Sequence, residues 1–576
     1  LDQRHAQPLP CRRNGGAHAG HAAARDDEIE RPPLLGVGGQ AGEGSPGALD
    51  LRVCIASEPA TLDPAKNSTL DGAILAQHLF EGLMRWENSG EPIEGGRGLY
   101  RAQLGPGQAQ SYEKTVHDDG TVTYTFTLRE DLKWSDGTPL TAGDFVYSWR
   151  RVSGPATAAD YCYMIDMVSG YEAVNSGEAE PTALGVSAPD ERTFVVELTY
   201  DCPYFLEVCA FTATLPVRED VVEADPDGWT HDTATYLSNG PYRLAEWSHN
   251  SRIVLERNPS YYAAGDLGPG TITFQLMDDG TAILSAFRSG DLDFIKSVPV
   301  DEIPALLASG DLSIVDQLGT YYVSYNTQQA PFDDWRVRKA FTLAIDSRYL
   351  VENVTQTGQV PADAFVPYGV PDADPEGEDF RTVGGGYWTV PETQEQYAAN
   401  VAEARELLAQ AGYPGGAGFP VVVYSYNNDP SHEAIAQALQ QQWQSALGVT
   451  VTLESNDWSA FLADRKAGNY QIARNSWVAD YSDPCCFLDL WRTGSGNNDA
   501  QYSNPDYDAL IDAAKAAADP AERMELLHQA EDLLMGEDWV LGPIYFYTQT
   551  YLLDPSLDGV YYTPLGNFFF GEVTRA

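Results

Sequence analysis

The side chains with the strongest claim to chemistry sit in one stretch, QIARNSWVADYSDP (471–484). Arg474 lies inside an otherwise apolar run, Asp480 follows that run, and Asp483 comes three residues later. A guanidinium taken out of water needs a charged partner. Two nearby carboxylates are also the raw material of acid/base catalysis. Neither Asp480 nor Asp483 stands in a recognisable frame with a partner glutamate, and with 84 Asp and Glu in the chain such pairs arise readily. Other catalytic patterns are absent: there is no GxxxxGK[ST] phosphate loop, no HExxH and no GxSxG elbow. The Gly-rich GVGGQAG beginning at Gly36 has no strand before it and does not read as a dinucleotide site. The cysteines (Cys11, Cys54, Cys162, Cys202, Cys209, Cys485 and Cys486) form no CxxC pair and have no His cluster beside them, which argues against zinc. Cys202 and Cys209 either form a local bridge in an exported protein or stay reduced and packed. The adjacent pair Cys485-Cys486 has no evident purpose in the sequence.

Composition narrows the partners. A net charge of −49 over 576 residues repels phosphate backbones and anionic headgroups, so nucleic acid is excluded as a ligand. Hydrophobic residues make up 43% and charged residues 21%, which is globular usage, and the length exceeds what one core serves, so several lobes are expected. No apolar run approaches a membrane span, and no signal core appears near the start. Residues 1–48, rich in Gly, Ala, Arg and Pro without periodicity, read as a disordered leader.

The elements that must position these side chains are legible from periodicity. LRVCIA from Leu51 alternates like a strand, and Ile74–Met84 has helical spacing. Thr121–Leu128 is strongly β after the Asp119-Gly120 turn signal, and Thr141 caps a helix bearing Phe145, Trp149 and Val152. Strands are expected at Thr193–Leu198, Ile253–Leu255, Thr271–Leu276 and Tyr321–Tyr325, and helices at Val337–Ile345, Ala398–Ala411 and Asp506–Ala518. Pro420–Leu453 reads strand, helix, strand, a βαβ unit of an α/β lobe, with its helix at His432–Ala446. The stretch Tyr368–Pro391 reads as a surface loop, and Gln471–Val478 as a strand.

Several segments together resemble the oligopeptide-binding proteins of bacterial ABC importers, the peptide/nickel class of extracellular solute-binding proteins (family 5). They are SEPATLDPAKN (57–67), HLFEGL (78–83), TYTFTLREDLKWSDGTPLTAGDFVYSWRR (123–151), NGPYRLAEW (239–247), RIVLERNPSYY (252–262), APFDDWRVRKAFTLAID (330–346), ARNSWVADYSDPCCFLDLW (473–491) and SGNNDAQYSNPDYDALI (495–511). The likeness runs from Leu51 to the C-terminus. It implies an α/β, periplasmic-binding-protein-like fold: two α/β lobes joined by a hinge, plus the extra domain of the large three-domain type. The implied division is 49–80, 218–318 and 548–576 for a discontinuous lobe I, 81–217 for the extra domain II, and 319–547 for lobe III.

The resemblance also implies site residues. A receptor for varied peptides must grip the backbone, the α-ammonium and the α-carboxylate. Asp480, at the C-terminal end of its strand, matches the acid that receives the ammonium; a turn aspartate is the plainer reading. Arg474 helps hold the acidic site, with Asp480 as a candidate partner, or else forms a structural ion pair elsewhere. The backbone of Ser476, Trp477 and Val478 pairs with the ligand as an added strand. Trp477 and Trp458 wall side-chain pockets, although core aromatics look the same in sequence. Tyr161 matches a tyrosine that approaches the ligand's amino end. Asn427, His432, Arg465 and Lys466 match positions serving the carboxylate or the pockets; Arg465 and Lys466 read equally as a solvated pair at a helix end. Ser68 replaces an acidic residue of enteric members, with Leu70 still able to offer backbone groups. Gly319 and Val478 occupy positions that form a disulfide in those members, so that bridge cannot exist here.

The expected function is capture of short peptides outside the membrane for delivery to ABC permease subunits. The expected protein is a monomer, with no cofactor, no metal and no enzymatic activity, periplasmic or lipid-anchored at the cell surface. The rival of the same fold is a receptor for another solute: a sugar oligomer, a metal complex or a signalling peptide.

Overall fold

The computed structural model describes residues 49–55, 58–375 and 377–575. The proposed leader, the Gly36 stretch and Cys11 lie outside them. The architecture follows one large mixed sheet, which holds ten strands in a single path: β1 (Leu49–Cys54), β2 (Tyr242–Ser248), β3 (Arg252–Arg257), β4 (Pro269–Gln275), β5 (Phe294–Ile295), β6 (Ser313–Tyr325), β7 (Val422–Asn427), β8 (Val451–Asn456), β9 (Ile472–Val478) and β10 (Leu541–Leu553). Their spatial order is β8-β7-β9-β6-β10-β5-β1-β4-β3-β2. Two 13-residue strands, β6 and β10, run through the middle of this path and belong to both halves.

The β6–β10 ladder is interrupted where the halves meet. Ser313–Asp316 pairs with Tyr551–Thr548, and pairing resumes only at Thr320 opposite Phe546. Such irregularities bend a strand pair and increase its twist. Gly319 lies in this interruption on β6, and a Cβ there would stand 2.8 Å from the Trp477 carbonyl oxygen, so the close approach of β9 needs glycine. Gly319 is directly opposite Val478 in the β6–β9 ladder.

The chain beyond the break builds its own core. One hydrophobic cluster draws only on residues 321–545, with Val337, Phe341, Leu439, Trp443 and Ile472 among its buried members. Its helices are set by local chemistry. In the expected βαβ unit the helix is Pro430–Leu447, with Pro430 in the first turn, the Asp429 side chain accepting from Ser431 and His432 N–H, and Gly448 ending it at φ 71°. Strands β7 and β8 flank it in parallel. The expected helices near 337, 398 and 506 are found at Trp335–Leu343, Gln394–Gln410 and Pro505–Ala516.

Two smaller four-stranded sheets complete the fold. Strands Ala109–Val116, Val122–Leu128, Thr193–Leu198 and Val186–Asp190 form one. The helix Ala142–Ser153 lays its apolar face on it, with Trp149 5.2 Å and Phe145 6.0 Å from Phe194 between ring centres. The other joins Met84–Pro92 and Leu99–Pro106 to Val560–Tyr562 and Phe568–Phe569, returning the C-terminal segment to the first half.

Two expectations need correction. The early helix spans Leu70–Leu79 rather than 74–84: Thr69 caps it through Gly72 N–H, and the chain after Leu79 is claimed by other partners, Asn239 for Glu81 N–H and the Cys209 carbonyl for Met84 N–H. The 368–391 stretch is not only loop. It contains the short helix Phe380–Gly384 and is fastened to the chain at Glu531 by a buried pair, Arg381 Nη1 to Glu531 Oε2 at 2.7 Å. Of the two readings left open for Cys202 and Cys209, the structure takes the reduced, packed one: both are buried and unbridged.

The Glu531 carboxylate also accepts from Phe365 and Val366 N–H, so this pair ties the stretch near 365 to the 380 helix. Removing one partner of a buried pair leaves an uncompensated charge. Arg381→Ala is therefore expected to cost about 3–5 kcal/mol of stability, read as a lowered urea midpoint of the variant against the unmodified chain.

Candidate functional site

Strand β9 is the axis of the site. On one edge it pairs with β6 along its whole length, from Ile472 opposite Tyr325 to Val478 opposite Gly319. On the other edge it pairs with β7 only at Ile472 and Ala473. The parallel strands β7, β8 and β9 thus splay at their C-terminal ends, where open α/β sheets form crevices. Asn427 and Asn456 end β7 and β8, and Trp458 starts the next helix, Trp458–Lys466, with half of its surface exposed (51%). That exposure removes the core-aromatic reading for Trp458. Trp477 is half-buried against the larger hydrophobic cluster, which draws on both halves of the chain.

Asp480 follows β9 at the splayed end. Its backbone N–H donates to the Cys486 thiol sulfur at 3.1 Å. Its carboxylate Oδ2 accepts from the Tyr163 hydroxyl at 3.1 Å. Although part of its surface stays accessible, the surrounding protein desolvates it, and burial pushes its carboxyl up to about 7 against the opposing pull of the Tyr163 and Tyr161 hydroxyls. Among the described residues no basic side chain pairs with it. The expected partnership with Arg474 is not formed.

Arg474, toward the other end of β9, is buried at 7% exposure. Its guanidinium carbon lies 5.2 Å from the centre of the Tyr321 ring, a cation–π contact. Tyr321 stacks on Tyr545 at 4.9 Å, and Tyr545 meets Tyr547 edge-on at 5.4 Å. No carboxylate lies within ion-pair distance of Arg474 among the described residues, and its Nε has no acceptor. The buried pair expected of an arginine in such a run is absent: tyrosine faces replace the carboxylate. His432 Nδ1 shares a 3.3 Å hydrogen bond with the Tyr321 hydroxyl, and burial followed by the nearby Arg474 charge lowers its pKa to about 4, so His432 is neutral. Asn427 Oδ1 is buried without a donor.

The remaining expected residues divide. Tyr161 stacks on Tyr163 at 5.6 Å and packs against Phe211 at 5.2 Å, beside Asp480. Ser476 and Val478 are half-buried on β9. Arg465 is neither solvated nor free for a ligand: its Nε is 2.7 Å from Asp499 Oδ2, and its Nη1 donates to the Arg474 carbonyl at 3.3 Å. Arg465 thus braces β9. Lys466 is exposed at the helix end. Ser68 is exposed and Leu70 half-buried at the start of the Leu70–Leu79 helix, on the side of the molecule built around β1.

Sequence reasoning missed Tyr163, Cys486 and the tyrosines 321, 545 and 547. It also missed the contacts that join the 81–217 region to the loop after β9. Tyr204 stacks on Tyr481 at 3.9 Å and 10°. The Glu207 carboxylate accepts from Ser482 N–H at 2.9 Å, and burial pushes its carboxyl up to about 7. The only signal in the sequence was the alternation Tyr161-Cys162-Tyr163, which places two tyrosines close together without saying what they face.

Known proteins share this frame. The family model for bacterial extracellular solute-binding proteins, family 5 (middle), matches residues 103–499. The oligopeptide-binding protein OppA of Bacillus subtilis is 33% identical over 543 residues, 93% of this chain and 94% of that protein. The crystal structure of Haemophilus influenzae OppA in complex with RPPGFSPFR superposes with a TM-score of 0.77 at 31% identity, covering 91% of this chain and 99% of that one. The Escherichia coli murein tripeptide-binding protein MppA matches at 0.77 and 32% identity over 92% of this chain and 98% of that one, whereas its unliganded open form matches at only 0.68. With a family match over most of its length and this identity across nearly all of it, the chain belongs to the bacterial extracellular solute-binding proteins of family 5.

Proposed function

We propose that this chain is the extracytoplasmic substrate-binding protein of an ABC importer and that it captures short peptides between two lobes. One observation carries the reading. A buried cation, Arg474, and a buried carboxylate, Asp480, lie six positions apart on and just beyond one strand, and neither is neutralised by the protein. A free peptide is the complementary object, with an ammonium at one end and a carboxylate at the other. Strand rise is ~3.3 Å per residue, so a zwitterion of three or four extended residues bridges the two poles once the reach of the arginine is counted. The unpaired β9 edge over Ser476–Val478 offers the backbone hydrogen bonds of strand addition.

Asp480 serves as ammonium acceptor, and Arg474 with neutral His432 and Asn427 receives the carboxylate end. Trp458, Trp477 and Tyr161 wall the side chains, with Ser68 and Leu70 closing from the opposite lobe. The lobes divide as 49–80, 218–318 and 548–576 against 319–547, with 81–217 as the extra domain, and they hinge at the interrupted β6–β10 ladder. The superposition scores favour a closed form. The protein acts as a monomeric receptor without catalysis, anchored at the cell surface or free in the periplasm, and hands its peptide to membrane permease subunits. No described helix is long and apolar enough to cross a membrane.

Calorimetry with a tripeptide and its N-acetyl derivative tests the assignment. Asp480→Asn is expected to weaken the free peptide by about 2–4 kcal/mol and to leave the acetylated one nearly unchanged; equal losses would refute it. The pH response follows from the raised carboxyl. With a folded pKa of about 7, Asp480 carries its proton below that pH, so affinity for free peptides should fall as pH drops from 8 to 6. Acetylated peptides should show a flat profile. The sign for stability is the reverse: the folded protein holds this proton more tightly than the unfolded chain, so the ionised group destabilises the unliganded protein as pH rises from about 4 to 7. Asp480→Asn should accordingly raise the melting temperature at pH 8.

A further inference from the structure

The ammonium subsite has a second layer built from two residues with no obvious place in peptide contact. The first is Tyr163, on the short 3-10 turn Cys162–Ile165, whose hydroxyl donates to Asp480 Oδ2 at 3.1 Å. Its ring is kept in place by stacking on Tyr161, itself packed on Phe211. The second is Cys486, on the helical turn Cys485–Leu488, whose sulfur accepts the Asp480 backbone N–H at 3.1 Å. These contacts hold Asp480 from both ends, the carboxylate from one region of the chain and the backbone from another.

The turn carrying Cys486 is itself anchored. Asp483 forms two hydrogen bonds to Arg523, at 2.8 and 2.7 Å, in a buried pair, and accepts from Cys485 N–H at 2.8 Å through Oδ1. Arg523 also donates to the Cys485 sulfur at 3.2 Å. The adjacent cysteines thus have separate roles: Cys485 sits on the Arg523–Asp483 pair, and Cys486 sits under Asp480. Sulfur is a large, weak acceptor that tolerates apolar surroundings. It satisfies the Asp480 N–H, which would otherwise be buried and unpaired, without competing for the ligand's ammonium. A carboxylate has about four acceptor positions, so one hydroxyl donor leaves room for an incoming cation.

We propose that Tyr163 and Cys486 are positioning residues of the ammonium subsite, orienting Asp480 so that its free lone pairs meet the peptide's amino group. The inference rests on the reading of Asp480 given above. The groups facing Asp480 are the hydroxyls of Tyr161 and Tyr163 from one side and the Cys486 thiol from the other; burial keeps that thiol protonated and inert. Tyr163, with Tyr161 beside it, links the carboxylate to the 81–217 region, so this pair is also the point at which lobe closure and ammonium capture meet.

The test is calorimetry at pH 7 on four full-length proteins: the unmodified chain, Tyr163→Phe, Cys486→Ala and Cys486→Ser. Each is titrated with one tripeptide in free and N-acetylated form, and the free-peptide titration is repeated from pH 6 to 9. Tyr163→Phe keeps the ring and its stack, and Cys486→Ala removes only the sulfur. Each should weaken the free tripeptide by roughly threefold to tenfold, the value of one hydrogen bond, and leave the acetylated form unchanged. Cys486→Ser, which retains an acceptor, should restore affinity. Tyr163→Phe should also shift the binding midpoint to higher pH, because the carboxylate loses a donor that favours its charged form. Equal losses for both peptides would show a packing role and overturn the proposal; so would no loss, or tighter binding in Tyr163→Phe. If the unmodified chain itself fails to distinguish free from acetylated peptide, the ammonium reading of Asp480 fails, and that result is separate from any behaviour of the variants.

Discussion

Strand β9 is hydrogen-bonded along its full length on one edge and at only two residues on the other, and the rest of the site depends on that asymmetry. The full ladder to β6 gives the strand a fixed position and register. The free edge leaves backbone groups available to a ligand of the same chemistry as the protein chain. An exposed edge is ordinarily a hazard for aggregation. Here it is short and lies at the mouth of a crevice, with Trp458 beside it and the Arg465–Asp499 pair bracing it from behind.

The same asymmetry explains the electrostatics. Burying a charge without a partner is costly, yet the protein holds Arg474 against tyrosine rings and Asp480 against tyrosine hydroxyls rather than pairing the two. The aromatic faces stabilise the guanidinium without occupying its hydrogen-bonding edge, and the hydroxyls stabilise the carboxylate without neutralising it. The unliganded protein therefore carries two unmet charges of opposite sign, separated along one strand. On the proposed reading, both are met at once by a ligand that brings the two complementary charges at matching separation.

Strand β9 also lies next to the structural discontinuity. It pairs with β6 up to Gly319, inside the interrupted stretch of the β6–β10 ladder. Any rotation about that break moves the β9 face relative to the half built around β1, while the cluster of residues 321–545 travels with β9 as one packed body. The Tyr204–Tyr481 stack and the Glu207–Ser482 hydrogen bond join the 81–217 region to the loop after β9. The loop that follows β9 thus carries both Asp480 and these contacts.

Much of this was legible in the residues themselves. The strand runs Thr121–Leu128 and Gln471–Val478 and the βαβ helix at His432–Ala446 are local signals, and the structure bears them out at Val122–Leu128, Ile472–Val478 and Pro430–Leu447 because local propensity and packing agree there. The segments from 57 to 511 that resemble family 5 identified the family, because motif spacing survives where overall identity falls to about a third. What the sequence could not decide was who partners whom. Arg474 and Asp480 looked like a pair because they are neighbours in the chain, but six positions on a strand and its following turn hold their heads apart; the tyrosines around Arg474 come from β6 and β10, and the hydroxyl on Asp480 comes from Tyr163, 317 residues away along the chain. Arg465 read equally as a ligand contact or as half of a solvated pair with Lys466, but the tertiary structure turned it inward onto Asp499. The Leu70–Leu79 helix stopped early for the same reason, since Asn239 and Cys209 claim the backbone that helical spacing alone would have continued. Sequence carries periodicity, caps and motifs, because these depend on nearest neighbours. Charge compensation, free strand edges and the second layer behind Asp480 depend on contacts between distant segments, and only the folded chain decides them.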